Sequence, residues 1–226
     1  MASLSAASIA RFARRPTTAG KRRIYDAYVA AFTAADGQRL FDRYGVSGNS
    51  RRLAHFMAQA AHETGGFTLV RESLHYKTVA AVRRAWRTRA KAHSDAWIEA
   101  NLLGNQIALG DWAYGGHMGN RKGTRDGYDY RGGGTFQTTG RSGYRAKGRT
   151  AGIDLEGNPR LIEEPLVSLH AACAEWGELG CNGLADADQI RKISRGINRG
   201  NVNATSAANG EADRIAWFDR IWPVLR

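Results

Sequence analysis

Residues 61–76 read AHETGGFTLVRESLHY. Glu63 stands at the end of an amphipathic helical pattern that stops on Gly65 and Gly66, and Glu72 follows on the next segment. Glycines at a helix end let the backbone approach a ligand closely, so a carboxyl there can face a cleft. Two separated carboxyls in different environments are what glycosidic cleavage requires, one as proton donor and one as base or nucleophile.

The spacing of apolar residues predicts a helix over 51–64, with a period near 3.6. Its inward stripe contains Leu53, Phe56, Ala60 and Phe67, and its more polar side contains His55, Gln59 and His62. Glu63 falls on the inward stripe, where an acid is costly unless it is paired, neutral or functional. Glu63 is therefore either a buried carboxylate in a structural ion pair or a functional group, whereas an isolated loop glutamate such as Glu72 is usually solvated.

The rest of the chain predicts a mainly helical domain. Helical patterns end near Asp36-Gly37 and recur over about 79–91, 96–103, 106–113, 165–176, 186–197 and from 211. The segment from Gly115 to Gly148 is rich in glycine and aromatic residues without a helical period, which predicts an irregular and often functional region. Arg214 lies four residues before Phe218, near the inward edge of the last helix, where an arginine usually has a carboxylate partner.

Length and composition indicate one globular domain over 1–226, large enough for a substantial core. No apolar run approaches the ~20 residues of a membrane span. The first residues lack the charged start and apolar core of a secretory signal, so we expect synthesis in the cytoplasm. Cys173 and Cys181 are too few for a disulfide framework, and reduced thiols are expected, although their spacing also allows a bridge.

The net charge of +12 predicts a polyanionic partner. Basic residues cluster over 11–23, within and just beyond a basic N-terminal segment of about 1–20, and again over 83–91 and 121–149. Nucleic acid is one candidate, but no helix-turn-helix, zinc-finger or aromatic ribonucleoprotein motif supports specific binding. The bacterial cell wall, which carries carboxylates and phosphates, is another. Composition does not choose between them, and the carboxylate pair favours the wall.

Several segments together resemble glycoside hydrolase family 19, the group of plant-type chitinases and phage endolysins. They are AHETGGF with RESLHY (61–67 and 71–76), YGGHMGN (114–120), DGYDYRGGGTFQTTGRSGY (126–144), INRG (197–200) and ADRIAWF (212–218). The segments keep the family's order over roughly residues 50–225. The short gap between the two glutamates is similar to that of the endolysin branch, because plant chitinases carry a longer insert there.

The resemblance implies a lysozyme-like, two-lobed helical domain whose glycine-rich irregular region lines a sugar-binding cleft. It implies that Glu63 is the general acid and Glu72 the general base of an inverting reaction, with the two carboxyls roughly 6.5–9.5 Å apart. Glu63 must then stay protonated, beside an apolar wall or another negative charge. A wetter site would suit Glu72, which must stay ionised.

The resemblance also assigns substrate-binding positions: Tyr130, Gln137, Thr139, Tyr144 and Asn198. Gln137 would bond the acetamido sugar, and Thr139 would help to hold the attacking water. For the two tyrosines, core packing with a satisfied hydroxyl is an equal alternative. Arg214 would pair with the acid glutamate. His62 either supports the site by hydrogen bonding or sits in the core.

Three positions depart from the family pattern. The usual Gly-Arg-Gly is Gly132-Gly133-Gly134, an asparagine common before the tyrosine is Gly143, and Val202 stands where plant members carry a glutamate. These departures affect substrate geometry and the surroundings of Glu63, while both carboxyls remain.

We therefore expect a phage-type endolysin that hydrolyses the β-1,4 bond between N-acetylmuramic acid and N-acetylglucosamine in peptidoglycan. It would act as a monomer on the wall after release, without a cofactor. We expect no catalytic metal, because His62-Glu63 does not continue into an HExxH motif. A chitinase using the same residues is the nearest alternative, although uncharged chitin gives no reason for the positive charge. A catalytically impaired wall-binding protein and a basic nucleic-acid binder are the others.

Overall fold

The computed structural model describes residues 1–226 and contains α-helices and two short 3-10 turns, with isolated bridges in place of β-strands. The helices are α1 (Ala6–Phe12), α2 (Ala19–Thr33), α3 (Ala35–Arg43), α4 (Ser50–Glu63), α5 (Val79–Ala85), α6 (Arg87–Ala90), α7 (Asp95–Leu102), α8 (Gln106–Tyr114), α9 (Asp126–Asp129), α10 (Arg141–Ala151), α11 (Pro165–Glu178), α12 (Cys181–Asp186), α13 (Ile190–Arg199) and α14 (Glu211–Leu225). The prediction of a mainly helical fold is confirmed.

Helix α4 forms the centre of the molecule. The side chain of Asn49 caps it by accepting a bond from the Arg52 amide at 2.9 Å. Every residue from Leu53 to Ala61 is buried, because α14 packs along α4 and further helices cover its other sides. The predicted polar side is therefore wrong for His55 and Gln59, which are fully buried and bond to other side chains.

Two main hydrophobic clusters define a large and a small lobe. The large-lobe cluster joins α1 to α4 with α11, α13 and α14, and includes Phe56, Trp176 and Trp217. The small-lobe cluster runs from Leu74 to Ala113 and joins α5, α7 and α8. A third and smaller cluster lies between α10, α11 and the 3-10 turn at 159–163.

The N-terminal basic segment folds onto the large lobe. Ser5 caps α1 by accepting a bond from the Ser8 amide, and Ile9 and Phe12 enter the large-lobe cluster. The cations of 11–23 remain exposed. This part of the chain therefore contributes both core packing and a positively charged surface.

Several predicted boundaries need correction. The irregular region ends at Gly140, because α10 begins at Arg141 and continues past Gly148. The helix predicted over 186–197 is α13 and begins only at Ile190, because α12 ends at Asp186 and the backbone at Asp188 adopts a φ of 55°. Cys173 and Cys181 are buried free thiols, as expected. None of the helices combines the length and apolarity needed to span a bilayer.

Candidate active site

A tight backbone turn follows Glu63 and ends α4. Thr64 bonds back to the Ala60 carbonyl and accepts a bond from the Phe67 amide at 2.9 Å. Positive φ values occur at Gly65, Gly66 and Phe67. This conformation is unusual for a buried phenylalanine. The turn sends the chain away from the helix axis and leaves the Glu63 carboxyl at the helix end.

A cavity of about 600 Å³ contains both predicted carboxyls. Its lining comes from the end of α4, the 69–72 segment, the glycine-rich region, α10, α11 and the end of α13. The polar and charged side chains that line it are Glu63, Glu72, Tyr114, Gln137, Thr138, Thr139, Lys147, Glu175, Asn198 and Arg199. The fold thus brings together groups that are far apart in the chain.

Arg214 is the ion-pair partner of Glu63. Its guanidinium is 1% exposed and forms an ion pair with Oε1 of Glu63. It also donates to Oε1 of Gln59 at 2.6 Å and to the Asn209 carbonyl at 3.2 Å. The expected pairing with Arg214 is present, and the arginine is satisfied although position 202 carries no acid.

Glu72 occupies a drier place than expected. The Tyr114 hydroxyl lies 2.8 Å from Oε1 and 3.0 Å from Oε2 of Glu72, and the Gly132 amide points at Oε2 from 3.4 Å. Burial raises the pKa of Glu72, while the bonds from Tyr114 and Gly132 and the charges of Arg131 and Arg71 oppose that rise. The prediction of a wet site is corrected: bonds and charges, more than water, favour the ionised form.

Glu175 is a third carboxyl in the cavity, and sequence reasoning missed it. It is 6% exposed and pairs with Nζ of Lys147 at 2.9 Å. Burial raises the pKa of Glu175 to about 7, and the Glu63 charge adds to the rise, while Lys147 opposes it. An acid on the buried side of α11 was a detectable signal, of the kind that singled out Glu63. Glu175 lines the same cavity as Glu63, whose ion-pair partner is the Arg214 guanidinium.

The structure places Gln137, Thr139 and Asn198 on the cavity wall. Gln137 has a φ of 47° and donates through Nε2 to the Gly134 carbonyl at 2.9 Å. Thr139 donates to the Gln137 carbonyl at 2.9 Å, and Asn198 accepts a bond from the Asn209 amide at 2.9 Å. Loop bonds thus orient all three side chains.

The two predicted tyrosines lie in the core and outside the cavity lining. Tyr130 bonds the Glu156 carbonyl at 2.7 Å, and Tyr144 bonds the Arg131 carbonyl at 2.9 Å. Their rings pack edge to face with centroids 5.3 Å apart. The prediction of sugar contact is therefore replaced by the alternative of core packing with satisfied hydroxyls.

His62 lies on the side of α4, outside the cavity. Its Nδ1 lies 2.7 Å from Oδ2 of Asp213 on α14, and the ring is outside the cavity lining. A Cβ atom at Gly210 would come within 2.2 Å of this ring, so His62 closes the space between α4 and the start of α14.

Arg71 explains one departure from the family pattern. A Cβ atom at Gly133 would lie 2.8 Å from Cδ of Arg71 and 2.7 Å from the Tyr144 hydroxyl. Arg71 donates to the carbonyls of Asp129 and Pro159 and passes over the Tyr144 ring. Its side chain thus fills the space beside Gly133 and ties the glycine-rich loop to its neighbours.

The arrangement can carry out acid–base chemistry on a bound ligand, since three carboxyls in different environments line one cavity. No group of three or more histidine, cysteine, aspartate or glutamate side chains is arranged to hold a metal ion.

Comparison with known proteins identifies relatives of this chain. No protein-family model matches the chain. The chain is 30% identical over 154 residues to a glycosyl hydrolase family 19 domain-containing protein of Haemophilus influenzae, which covers 67% of this chain and 72% of that protein. It is 30% identical over 158 residues to chitinase 8 of Oryza sativa subsp. japonica, with 67% and 44% covered.

The structure is similar to chitinase C from Streptomyces griseus, with a TM-score of 0.51 and 22% identity over 98% of this chain and 76% of that chain. A helical, lysozyme-like glycoside hydrolase is the class that these findings define together. The chain belongs to glycoside hydrolase family 19.

Proposed function

We propose that this hydrolase cleaves the β-1,4 bond between N-acetylmuramic acid and N-acetylglucosamine in peptidoglycan, as an endolysin-type enzyme that lyses cells. The observation that carries the proposal is that Glu63 and Glu72 line one cavity with Gln137 and Thr139 between the lobes. The glycan strand would lie in this cavity with the scissile bond between the two carboxyls.

In the proposed inverting reaction, Glu63 donates its proton to the glycosidic oxygen while Glu72 takes a proton from a water that attacks the anomeric carbon from the opposite face. Thr139 would hold that water, and Gln137 would bond the acetamido group. Arg214 stabilises the carboxylate that Glu63 becomes after the transfer, which favours proton donation. Proton exchange with solvent then restores both carboxyls.

The net charge of +12 favours peptidoglycan as the substrate. A positively charged protein concentrates at an anionic polymer, and the cations of 11–23 are exposed for such a role. Chitin is uncharged and offers no such attraction. The enzyme would act as a monomeric single domain on the wall, after release from the cytoplasm in which it is made.

Chitin hydrolysis is the second candidate. It is favoured by the names of two similar proteins, chitinase 8 and chitinase C. Both substrates present N-acetylated sugars joined by β-1,4 bonds, so the same carboxyls and the same Gln137 would serve either reaction. A wall-binding protein with impaired catalysis is a third possibility for the test to separate.

The test is a digest of purified peptidoglycan with the wild type and with Glu63→Gln, followed by mass spectrometry of the new reducing ends. We expect reducing N-acetylmuramic acid from the wild type and none from the variant. Glutamine keeps an oxygen for the bond from Arg214 but has no proton to transfer, so the fold and wall binding should persist.

The remaining outcomes decide between the alternatives. Full activity of Glu63→Gln would contradict the assignment of Glu63 as the acid. If peptidoglycan is not cleaved, the digest is repeated on chito-oligosaccharides: cleavage there identifies a chitinase, and no cleavage identifies a binding protein.

A further inference from the structure

A depression of about 1070 Å³ opens on the small lobe and shares no lining residue with the candidate active site. Its walls come from α6, α7 and α8 and from the loop that follows α8. Aromatic and basic side chains dominate its polar surface: Arg89, His93, Trp97, Trp112, His117 and Lys122. The proposed hydrolytic reaction uses none of them.

The aromatic side chains form a fixed platform. The rings of His93 and Trp97 stack with centroids 3.7 Å apart and an interplanar angle of 17°. The indole N–H of Trp112 donates to Nε2 of His93 at 3.1 Å, which holds the imidazole between the two tryptophans. Both tryptophans are only partly buried. The exposed parts of aromatic rings that are held in place suit the apolar face of a sugar ring.

The cations beside this platform are positioned for an anion. Arg89 donates to the Trp112 carbonyl and lies 2.9 Å from Nε2 of His117, so its guanidinium is held at the wall. Lys122 is exposed and forms no ion pair. The one acid in the lining, Asp111, accepts a bond from the Gly123 amide at 2.9 Å.

We propose that this depression is a second glycan-binding site, which takes a sugar ring that bears a carboxylate. The tryptophan platform would receive the ring, and Lys122 with Arg89 would receive the negative charge. Such a site would hold the enzyme on an acidic glycan while the cleft releases its product. This second site is additional to the proposed hydrolytic function, because it binds glycan and requires no bond cleavage.

The test uses two monosaccharides that differ only in the 3-O-lactyl group, which carries the carboxylate: N-acetylmuramic acid and N-acetylglucosamine. Neither contains a bond that the enzyme could cleave, so binding is measured on the wild-type protein. The readout is the NMR shift of the indole N–H signals of Trp97 and Trp112. No tryptophan lines the candidate active site, so these signals separate the two sites. Inorganic phosphate serves as an anion without a ring.

We expect saturable shifts of both indole signals with N-acetylmuramic acid and weaker binding of N-acetylglucosamine. Lys122→Ala should weaken binding of the acidic sugar about 1.4-fold to fivefold, the range for an exposed charge pair, and leave the neutral sugar unchanged. Trp97→Ala should weaken both sugars, with the Trp112 signal as the check on folding. Lys21→Ala, an equal charge change on the large lobe, should have no effect.

Any of three results with the wild-type protein would overturn the proposal. They are the absence of saturable indole shifts with either sugar, equal affinity for both sugars, and the same shifts with phosphate alone. An unchanged affinity of Lys122→Ala for N-acetylmuramic acid would also contradict it, because Lys122 is exposed and its loss leaves the fold intact.

Discussion

Two opposing effects act on the pKa of the Glu72 carboxyl. Burial raises its pKa, and the Tyr114 hydroxyl, which bonds both carboxylate oxygens, lowers it. A base is most effective when its pKa lies close to the working pH without exceeding it. Tyr114 is therefore the side chain that most strongly opposes the rise in the pKa of Glu72 that burial causes.

Tyr114→Phe should move the acidic limb of the pH–activity profile upward. The variant loses the hydrogen bond from Tyr114 to a charged group, so the pKa of Glu72 should rise further and activity at pH 5 should fall more than at pH 8. Tyr76→Phe is the matched control. Burial and the nearby Glu72 charge raise the pKa of Tyr76, but its hydroxyl does not hydrogen-bond the Glu72 carboxylate. An unshifted limb, or an equal shift in both variants, would contradict this role of Tyr114.

Helix α10 shows how one element combines open and crowded glycines. A Cβ atom at Gly143 would meet only Cγ2 of Thr138, at 3.6 Å. A Cβ atom at Gly148 would lie 2.5 Å from the Ile153 carbonyl oxygen. The first glycine thus leaves room for a side chain beside the cavity, and the second permits a close approach of the backbone.

Gly143→Ala should therefore raise the free energy of unfolding by about 0.5–1 kcal/mol, because alanine restricts the unfolded chain and favours the helix. Gly148→Ala in the same helix should lower it by about 1–3 kcal/mol, because the helix must move away from Ile153. Denaturant titration measures both. The same sign of change in the two variants would contradict the packing described for α10.

At the scale of the whole molecule, two buried groups make stability depend on pH in opposite directions. Burial lowers the pKa of His55 to about 4. As the pH falls below about 6.5, the unfolded chain therefore binds a proton at this residue, whereas the folded chain does so only near pH 4. Folding stability from His55 is therefore lost as the pH falls from about 6.5 to 4. Burial raises the pKa of Glu175 to about 7, so stability is lost as the pH rises from about 4.5 to 7.

The two contributions should largely cancel in the wild type between pH 4.5 and 6.5. Glu175→Gln should leave the His55 contribution, so that stability rises with pH across this window by up to about 2–3 kcal/mol. His55→Gln should show the opposite slope. Denaturant midpoints at pH 4.5, 5.5 and 6.5 test this, and parallel profiles for all three proteins would refute it.

The net positive charge is also a property of the whole molecule. Binding to intact cell walls should weaken as salt rises beyond about 0.15 M, where screening shortens to ~8 Å. Reversing Lys21 and Arg23 to glutamate should weaken binding at low salt more than the same change at Lys192 and Arg226, because only the first pair lies in the 11–23 cluster. Sedimentation with walls measures the bound fraction, and salt-independent binding would show that charge does not recruit the protein.

Local patterns in the sequence were sufficient for the helical class and for the two glutamates. The period of 3.6 around Leu53 and Phe56 and the Gly65-Gly66 break specify where α4 runs and stops, because both depend on neighbours within one turn. The same reasoning placed Arg214 near the inward edge of α14. The resemblance to glycoside hydrolase family 19, and not local periodicity, led to the choice of Gln137, Thr139 and Asn198, which the structure places on the cavity wall.

Tertiary structure alone decided which groups meet. Tyr114 reaches Glu72 across 42 residues, and Arg214 reaches Glu63 across 151. Tyr130 and Tyr144 turn into the core, while Lys147 and Glu175 form an ion pair at the cavity. The physical reason is that periodicity sets which side of a helix is covered, whereas the contacts and the pKa of each side chain depend on how separate helices pack.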